Sequence, residues 1–286
     1  MNRDGACLIA GCGDVGMRLG MQLCARGERV YGLRRNPTAI PAPMIAVQAD
    51  LTDPASLAEL PDDIDRLVYL PAPTGRDEAA YQQVFVAGLA HLIEALQRRN
   101  TLSRILFVSS SAVYGEHAGE WVDEETPCAP LAFNGQILLK AEASLHARGL
   151  PAVVARCSGL YGPGRTRLVE MVASGHAQVP STKASFSNRI HVEDAASALA
   201  HLMVLPSPSS CYLLSDDEPA VLADVYTWIA GQLGVDPPQI RHTAGERAVG
   251  NKRLSNRRLR QTGFSFRYPD FRSGYQELIR SQHLQA

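Results

Sequence analysis

A short apolar run, Cys7-Leu8-Ile9-Ala10, passes directly into Gly11-Cys12-Gly13-Asp14-Val15-Gly16, and a helical pattern with Val15, Leu19 and Leu23 on one face follows. This junction constrains the fold more than any other stretch of the chain. A strand, a G-x-G-x-x-G turn and a helix, in that order, predict the first βα unit of a parallel sheet. Gly11 permits the tight turn, Gly13 lets the backbone approach a pyrophosphate, and Gly16 lets helix and strand pack closely. The first N–H groups of the helix and its dipole favour an anion there. Gly11, Cys12, Gly13, Asp14, Val15 and Gly16 together predict a dinucleotide site.

The alternation continues. Arg29 to Leu33 reads as a second strand and Met44 to Ala49 as a third; Asp53-Pro54 then caps and opens a short helix. Leu67 to Leu70 is a fourth strand, Tyr81 to Arg98 a long amphipathic helix, and Ile105 to Ser109 a fifth strand. Asn134 to Arg148 is a helix and Ala152 to Arg156 a sixth strand. Beyond Gly162-Pro163-Gly164 the pattern loosens, with a strand at Ile190 to Val192 and another at Cys211 to Leu214. Helices are predicted at Glu193 to Met203, Leu222 to Leu233 and Ser255 to Gln261, the last with Ser255 as N-cap. The expected fold class is α/β: a Rossmann-type doubly wound parallel sheet over residues 1–160, rejoined by 187–215, with a smaller C-terminal substrate lobe over 161–286.

The bulk properties exclude other classes. A 45% hydrophobic fraction supports a buried core, and a formal net charge of −1 gives no field that favours nucleic acid or an anionic membrane. No apolar run approaches the roughly 20 residues that cross a bilayer. Met1 to Gly5 runs straight into the first strand, so no signal peptide is expected. Six cysteines (7, 12, 24, 128, 157 and 211) lack metal-ligand spacing, which suits reduced thiols, no metal site and a cytoplasmic setting.

The end of the second strand selects the cofactor. An NAD site usually places an acidic residue there for the ribose 2′-hydroxyl. This chain reads Val30-Tyr31-Gly32-Leu33-Arg34-Arg35, with no carboxylate. Two guanidiniums attract a 2′-phosphate, so Arg34 and Arg35 point to NADP(H), with NAD as the alternative. Asp50 and Leu51, closing the third strand, are placed to meet adenine, unless Asp50 merely begins a turn with Asp53. Leu70, Pro71 and Ala72, closing the fourth strand, complete the expected cofactor set.

Ser109-Ser110-Ser111-Ala112-Val113-Tyr114-Gly115, Arg156 with Tyr161-Gly162-Pro163-Gly164, and His191-Val192-Glu193-Asp194 add a wider pattern. With the glycine turn and Asp50-Leu51, the chain resembles the extended short-chain dehydrogenases/reductases, which include nucleotide-sugar epimerases and dehydratases. The resemblance implies that a Ser or Thr ending strand five holds the substrate oxygen. Ser110 matches that position, with Ser111 beside it and Tyr114 as a candidate proton donor or a packing aromatic.

The resemblance also implies a Tyr and a Lys four residues apart on the next helix, exchanging a proton as hydride moves. Aligning the family's trailing Glu with Glu142 puts Asn134 and Leu138 at those positions; sliding to Lys140 puts Gln136 at the Tyr position. Neither register restores the pair. Phe85 stands where the family's long helix carries an Asn. Tyr161 and His191 are further candidates, each with a structural alternative. Arg247, Lys252, Arg253, Arg257, Arg258 and Arg260 either hold a diphosphate, as the resemblance implies for this lobe, or form a solvated basic face.

These readings describe an NADP(H)-dependent oxidoreductase or epimerase/dehydratase acting on a small carbonyl or hydroxyl substrate. A nucleotide sugar is implied by resemblance alone. The alternative is a non-enzymatic NADP(H)-sensing binding protein, suggested by the missing Tyr/Lys pair.

Overall fold

Five successive buried residues, Ala6–Ala10, form β1, and burial on both faces marks the middle of a parallel sheet. The computed structural model describes residues 5–98, 102–180, 185–241 and 250–283. The start of the chain at 1–4 and Arg247 lie outside them. β1 pairs in parallel with β2 (Val30–Arg34) and with β4 (Ile64–Tyr69). β2 pairs in parallel with β3 (Ile45–Gln48), and β4 with β5 (Arg104–Ser110). Adding β6 (Ala152–Cys157) and β7 (Cys211–Leu214), the order is β7-β6-β5-β4-β1-β2-β3. This is the expected α/β fold. The chain leaves β1 in one direction for β2 and β3, then crosses back to β4 on the other side. Such a reversal opens a crevice outside the carboxyl ends of β1 and β4.

The chain divides into two compact units, one of Met1–Val113, Ala132–Arg156 and Ala196–Tyr212, the other of Tyr114–Leu131, Cys157–Ala195 and Leu213–Ala286. In the first, α1 (Asp14–Ala25) buries Val15, Leu19 and Leu23, the face anticipated from spacing. Asp53 caps the 3-10 turn Pro54–Leu57, its carboxylate accepting from Ala55 N at 3.0 Å. The long helix after β4 departs from expectation. α2 (Glu78–Tyr81), capped by Asp77, passes into a π-helical turn, Gln82–Gly88, before α3 (Leu89–Gln97). Apolar spacing at four residues does not register a widened turn. At the end of that turn, a Cβ on Gly88 would come to 3.2 Å from Leu51 and from the Gln83 carbonyl. α4 (Phe133–Ala147) follows β5 and buries Ile137, Leu138, Ala141 and Leu145.

The second unit has its own core, in which Tyr161, Val169, Val172, Val225, Ile229, Phe271 and Tyr275 join α5 (Arg167–Ala173), α7 (Leu222–Leu233) and α9 (Phe271–His283). Between them in sequence lie α6 (Val192–Val204) and α8 (Arg257–Gln261). Ser255 is not the cap of α8; Asn256 takes that position. The Asn256 side chain does not bond its own helix but donates to the Ser215 carbonyl at 3.0 Å and to Asp217 at 2.7 Å. No disulfide links the six cysteines, and no helix among the described residues is long and apolar enough to cross a membrane.

Candidate functional site

Ala10, the last residue of β1, is level with Leu33 on one side and Tyr69 on the other, so the glycine turn opens at the carboxyl edge of the sheet. The Leu33 carbonyl accepts from both Gly11 N (3.2 Å) and Cys12 N (3.1 Å). Gly11 has φ +81°, and a Cβ there would collide with the Pro71 backbone, so the position excludes a side chain twice over. Gly13 differs. A Cβ on it would meet nothing closer than the Gly11 carbonyl at 3.9 Å, leaving open space at the start of α1. Gly16 rests against Ile9 and Cys12. A pyrophosphate fits this arrangement: its oxygens would lie over Gly13 against the first N–H groups of α1.

The side chains in the turn serve the scaffold. Cys12 is buried, and loss of hydration pushes its thiol up to about 12 despite the nearby Arg34 charge. Asp14 accepts from Arg18 Nε at 2.7 Å, which balances a carboxylate that would otherwise face a phosphate. Val15 is buried in the core beneath.

Arg34 ends β2 half-buried and Arg35 is exposed beside it. Asp50 forms a turn: its Oδ1 accepts from Thr52 N at 2.9 Å and Thr52 Oγ1 at 2.8 Å. Those two bonds hold its carboxyl below the usual carboxylate range, with Arg35 contributing. The Asp50 Oδ1 is thus committed to the turn, the alternative the sequence left open. Leu51 is buried against Gly88, and its carbonyl bonds His91 Nδ1 at 3.3 Å. Leu70 N donates to the Ala10 carbonyl at 3.0 Å, bringing Leu70, Pro71 and Ala72 alongside Gly11.

β5 runs three residues past Phe107, the partner of Tyr69, and so delivers Ser110 to the same carboxyl edge. The Ser110 Oγ accepts from Ala112 N at 3.2 Å, which leaves its hydrogen to donate outward. Ser111 follows half-buried in a 3-10 turn, Ser111–Val113. Ser109 points the other way, into the interior, and donates to Glu142 Oε1 at 2.5 Å. Glu142 also receives Arg156 Nη2 at 2.7 Å, so one buried cluster ties β5, α4 and β6 together. Tyr114 is fully buried in the second unit, and its hydroxyl donates to the Asp123 carbonyl at 2.8 Å. That proton is spent, and Tyr114 is a packing residue.

On α4, Asn134 is half-buried and Leu138 buried, while Gln136 and Lys140 are exposed. In one register the position that the resemblance gives to lysine is thus a buried leucine; in the other it is the exposed Lys140, with Gln136 in place of the tyrosine. Phe85 is buried in the π-helical turn, 6.3 Å edge-on from Phe107.

The other candidates belong to the core of the second unit. Tyr161 is buried against α9, where a Cβ on Gly274 would strike its hydroxyl, and burial raises its phenol far above the ordinary range. His191 is buried between Tyr161 and Tyr268, and its Nδ1 accepts from Glu193 N at 3.3 Å. Asp194 accepts the backbone N–H groups of Arg267 and Tyr268, both at 2.8 Å. Much of the basic cluster is used internally. Lys252 is buried with its Nζ 3.4 Å from the Tyr114 carbonyl, Arg253 lies over Trp121 and Phe186 rings, and Arg258 pairs with Glu124 and Glu125. Also in this unit, Arg189 and Asp216 are buried together, the Asp216 N–H donating to the Arg189 carbonyl at 2.7 Å. Sequence reasoning gave no sign of that pair, because neither residue falls in a recognisable spacing. No group of three or more metal-ligating side chains occurs among the described residues.

Residues 7–210 match the profile of the NAD dependent epimerase/dehydratase family. The chain belongs to that family, and its cofactor class is NAD(P). It is 35% identical to a solved protein from Methylobacillus flagellatus provisionally assigned as an NAD-dependent epimerase/dehydratase, over 98% of this chain and 100% of that one, with a TM-score of 0.81. It is 28% identical over 280 residues to Protein YeeZ of Escherichia coli strain K12, covering 92% of this chain and 96% of that protein. A 3-diazoavenalumate denitrifying reductase from a Streptomyces species is 29% identical, over 81% of this chain and 83% of its own.

Proposed function

We propose that this chain is an NADP(H)-dependent oxidoreductase of its family, interconverting a carbonyl and a hydroxyl on a small substrate. One observation carries the reading. The Leu33 carbonyl holds Gly11 N and Cys12 N, so the pyrophosphate turn is hydrogen-bonded to the residue before Arg34. A dinucleotide seated on that turn would direct its adenosine ribose toward the end of β2, where Arg34 and Arg35 stand and the strand itself carries no carboxylate. When bound, the cofactor supplies hydride chemistry. The chain's own part is to orient the substrate oxygen through the Ser110 hydroxyl and to exclude the wrong cofactor through Arg34 and Arg35. Similarity to a named reductase favours the redox reading; a nucleotide sugar as substrate rests on family resemblance only.

A second reading, an NADP(H)-sensing protein without turnover, is favoured by Asn134 and the buried Leu138, which supply neither phenol nor ammonium. Titration with NADPH and NADH, followed by a panel of carbonyl substrates, tests both. NADPH should bind at least about tenfold more tightly, a difference of roughly 1.4 kcal/mol, and Arg34→Ala with Arg35→Ala should abolish the preference. Equal affinities would overturn the NADP(H) assignment. Turnover should fall on Ser110→Ala; a panel without turnover in the wild type would favour the sensor.

A further inference from the structure

If proton transfer accompanies hydride transfer here, a donor must stand at the carboxyl edge of the sheet, and α4 offers none at Asn134 or Leu138. The tyrosines of the first unit can be sorted by where their hydroxyls go. Tyr31 sits near the amino end of β2, beside Asp63 and Arg29. Tyr69 donates to the Val84 carbonyl at 2.6 Å. Tyr212 is buried on β7 and accepts from Ser209 N at 2.8 Å, near the amino end of that strand. Tyr81 remains. It closes α2, beyond the carboxyl end of β4, and is half-buried. No described group hydrogen-bonds its hydroxyl.

Its ring is firmly held. Tyr81 lies 5.5 Å edge-on from Phe133 and 5.5 Å from Phe85, and Phe85 in turn meets Phe107. Phe107 is three residues before Ser110 on β5, and Phe133 directly precedes Asn134 on α4. Four rings therefore run from the strand that bears Ser110 to the helix turn where the family's phenol is missing. Such a row fixes a phenol by packing while its hydroxyl stays unengaged.

We propose that Tyr81 is the catalytic acid–base residue of this chain, supplying from α2 the phenol that its relatives carry on the following helix. This rests on the oxidoreductase reading above. In the reductive direction Tyr81 gives its hydroxyl proton to the substrate carbonyl oxygen as the carbonyl carbon takes a hydride, with its electron pair, from a reduced nicotinamide. The C=O π pair becomes the new O–H bond, the carbonyl is reduced to an alcohol, the nicotinamide is oxidised, and the phenolate recovers a proton from water. Ser110 holds the same oxygen from the strand side.

Two measurements test the assignment, the first without a substrate. In protein labelled with 3-fluorotyrosine, the ¹⁹F resonance of Tyr81, assigned through Tyr81→Phe, should move on binding NADP⁺. It should not move with 2′-phospho-ADP-ribose, which lacks the nicotinamide. A stationary resonance while NADP⁺ binds overturns the role of Tyr81 alone; failure to bind either NADP⁺ or NAD⁺ overturns the underlying reading instead. Second, Tyr81→Phe keeps the ring packing and should lower kcat at least about a hundredfold, within the usual range for a lost general acid. KM and NADPH affinity should stay within about twofold. Wild-type kcat in that variant overturns the proposal.

Discussion

In the first unit Arg156 reaches Glu142 at 2.7 Å, and Ser109 closes on the other carboxylate oxygen at 2.5 Å. In the second, Arg189 and Asp216 are buried just as deeply, yet Arg189 Nη1 and Asp216 Oδ2 find no hydrogen-bond partner among the described residues. Arg189 is instead directed at the Ser187 hydroxyl and lies 5.3 Å from the centre of the Phe271 ring. Burial pushes the Asp216 carboxyl well above the ordinary carboxylate range, and the Arg189 charge only partly offsets it. The same two functional groups thus serve as a closed clamp in one place and, in the other, a pair in which Asp216 Oδ1 accepts from Glu218 N at 3.3 Å while Oδ2 and Arg189 Nη1 stay open. The difference teaches that a buried guanidinium and carboxylate hold a framework together only when donors and acceptors close on each other.

The largest effect should come from Glu142→Ala. It removes the carboxylate that receives both Arg156 and Ser109, and should cost about 3–5 kcal/mol in urea unfolding. Ser109→Ala removes one hydrogen bond to a charged group and should cost about 1.5–3 kcal/mol. A Glu142→Ala protein as stable as wild type would break the comparison at its stronger end.

The smallest effect is the most diagnostic. Because the Asp216 carboxyl is raised in the folded protein, the native state binds more protons than the unfolded chain above pH 3.8. Its favourable contribution is complete below that pH and is lost as pH rises toward the folded value. Asp216→Asn should therefore gain stability relative to wild type as pH rises above 3.8, by roughly 1 kcal/mol, the low end of the cost of an unsatisfied buried polar group. Parallel pH profiles for the two proteins would show that Asp216 is not the open partner described.

These clusters also mark where the sequence stops being legible. The βα order, the glycine turn and the strands through β5 follow from local patterns that each residue carries by itself. So does the Asp53-Pro54 turn. Glu142 was recognisable as a register mark on α4, but not as the partner of Ser109 and Arg156, which lie 33 and 14 residues away. The π-helical turn was invisible because apolar spacing does not register a widened turn, and because Gly88, at its end, packs against Leu51, a residue distant in sequence. α5 and α9 escaped notice because one is short and the other carries many polar residues. Tyr114 looked chemically available from its neighbours in sequence; only the Asp123 carbonyl, nine residues on, takes its proton away. Tyr81 is the reverse case, ordinary in sequence and distinctive only beside Phe133.

In the function proposed above, Gly13 would contribute to the cofactor site mainly by what it leaves out, since the space its Cβ would occupy is open. A feature made of absent atoms cannot be graded. Every other residue at position 13 can only fill that space, so descent has no small steps with which to adjust affinity there. Divergence within such a lineage must proceed through neighbours with something to trade, at Arg34 and Arg35 or along the loops after β4 and β5.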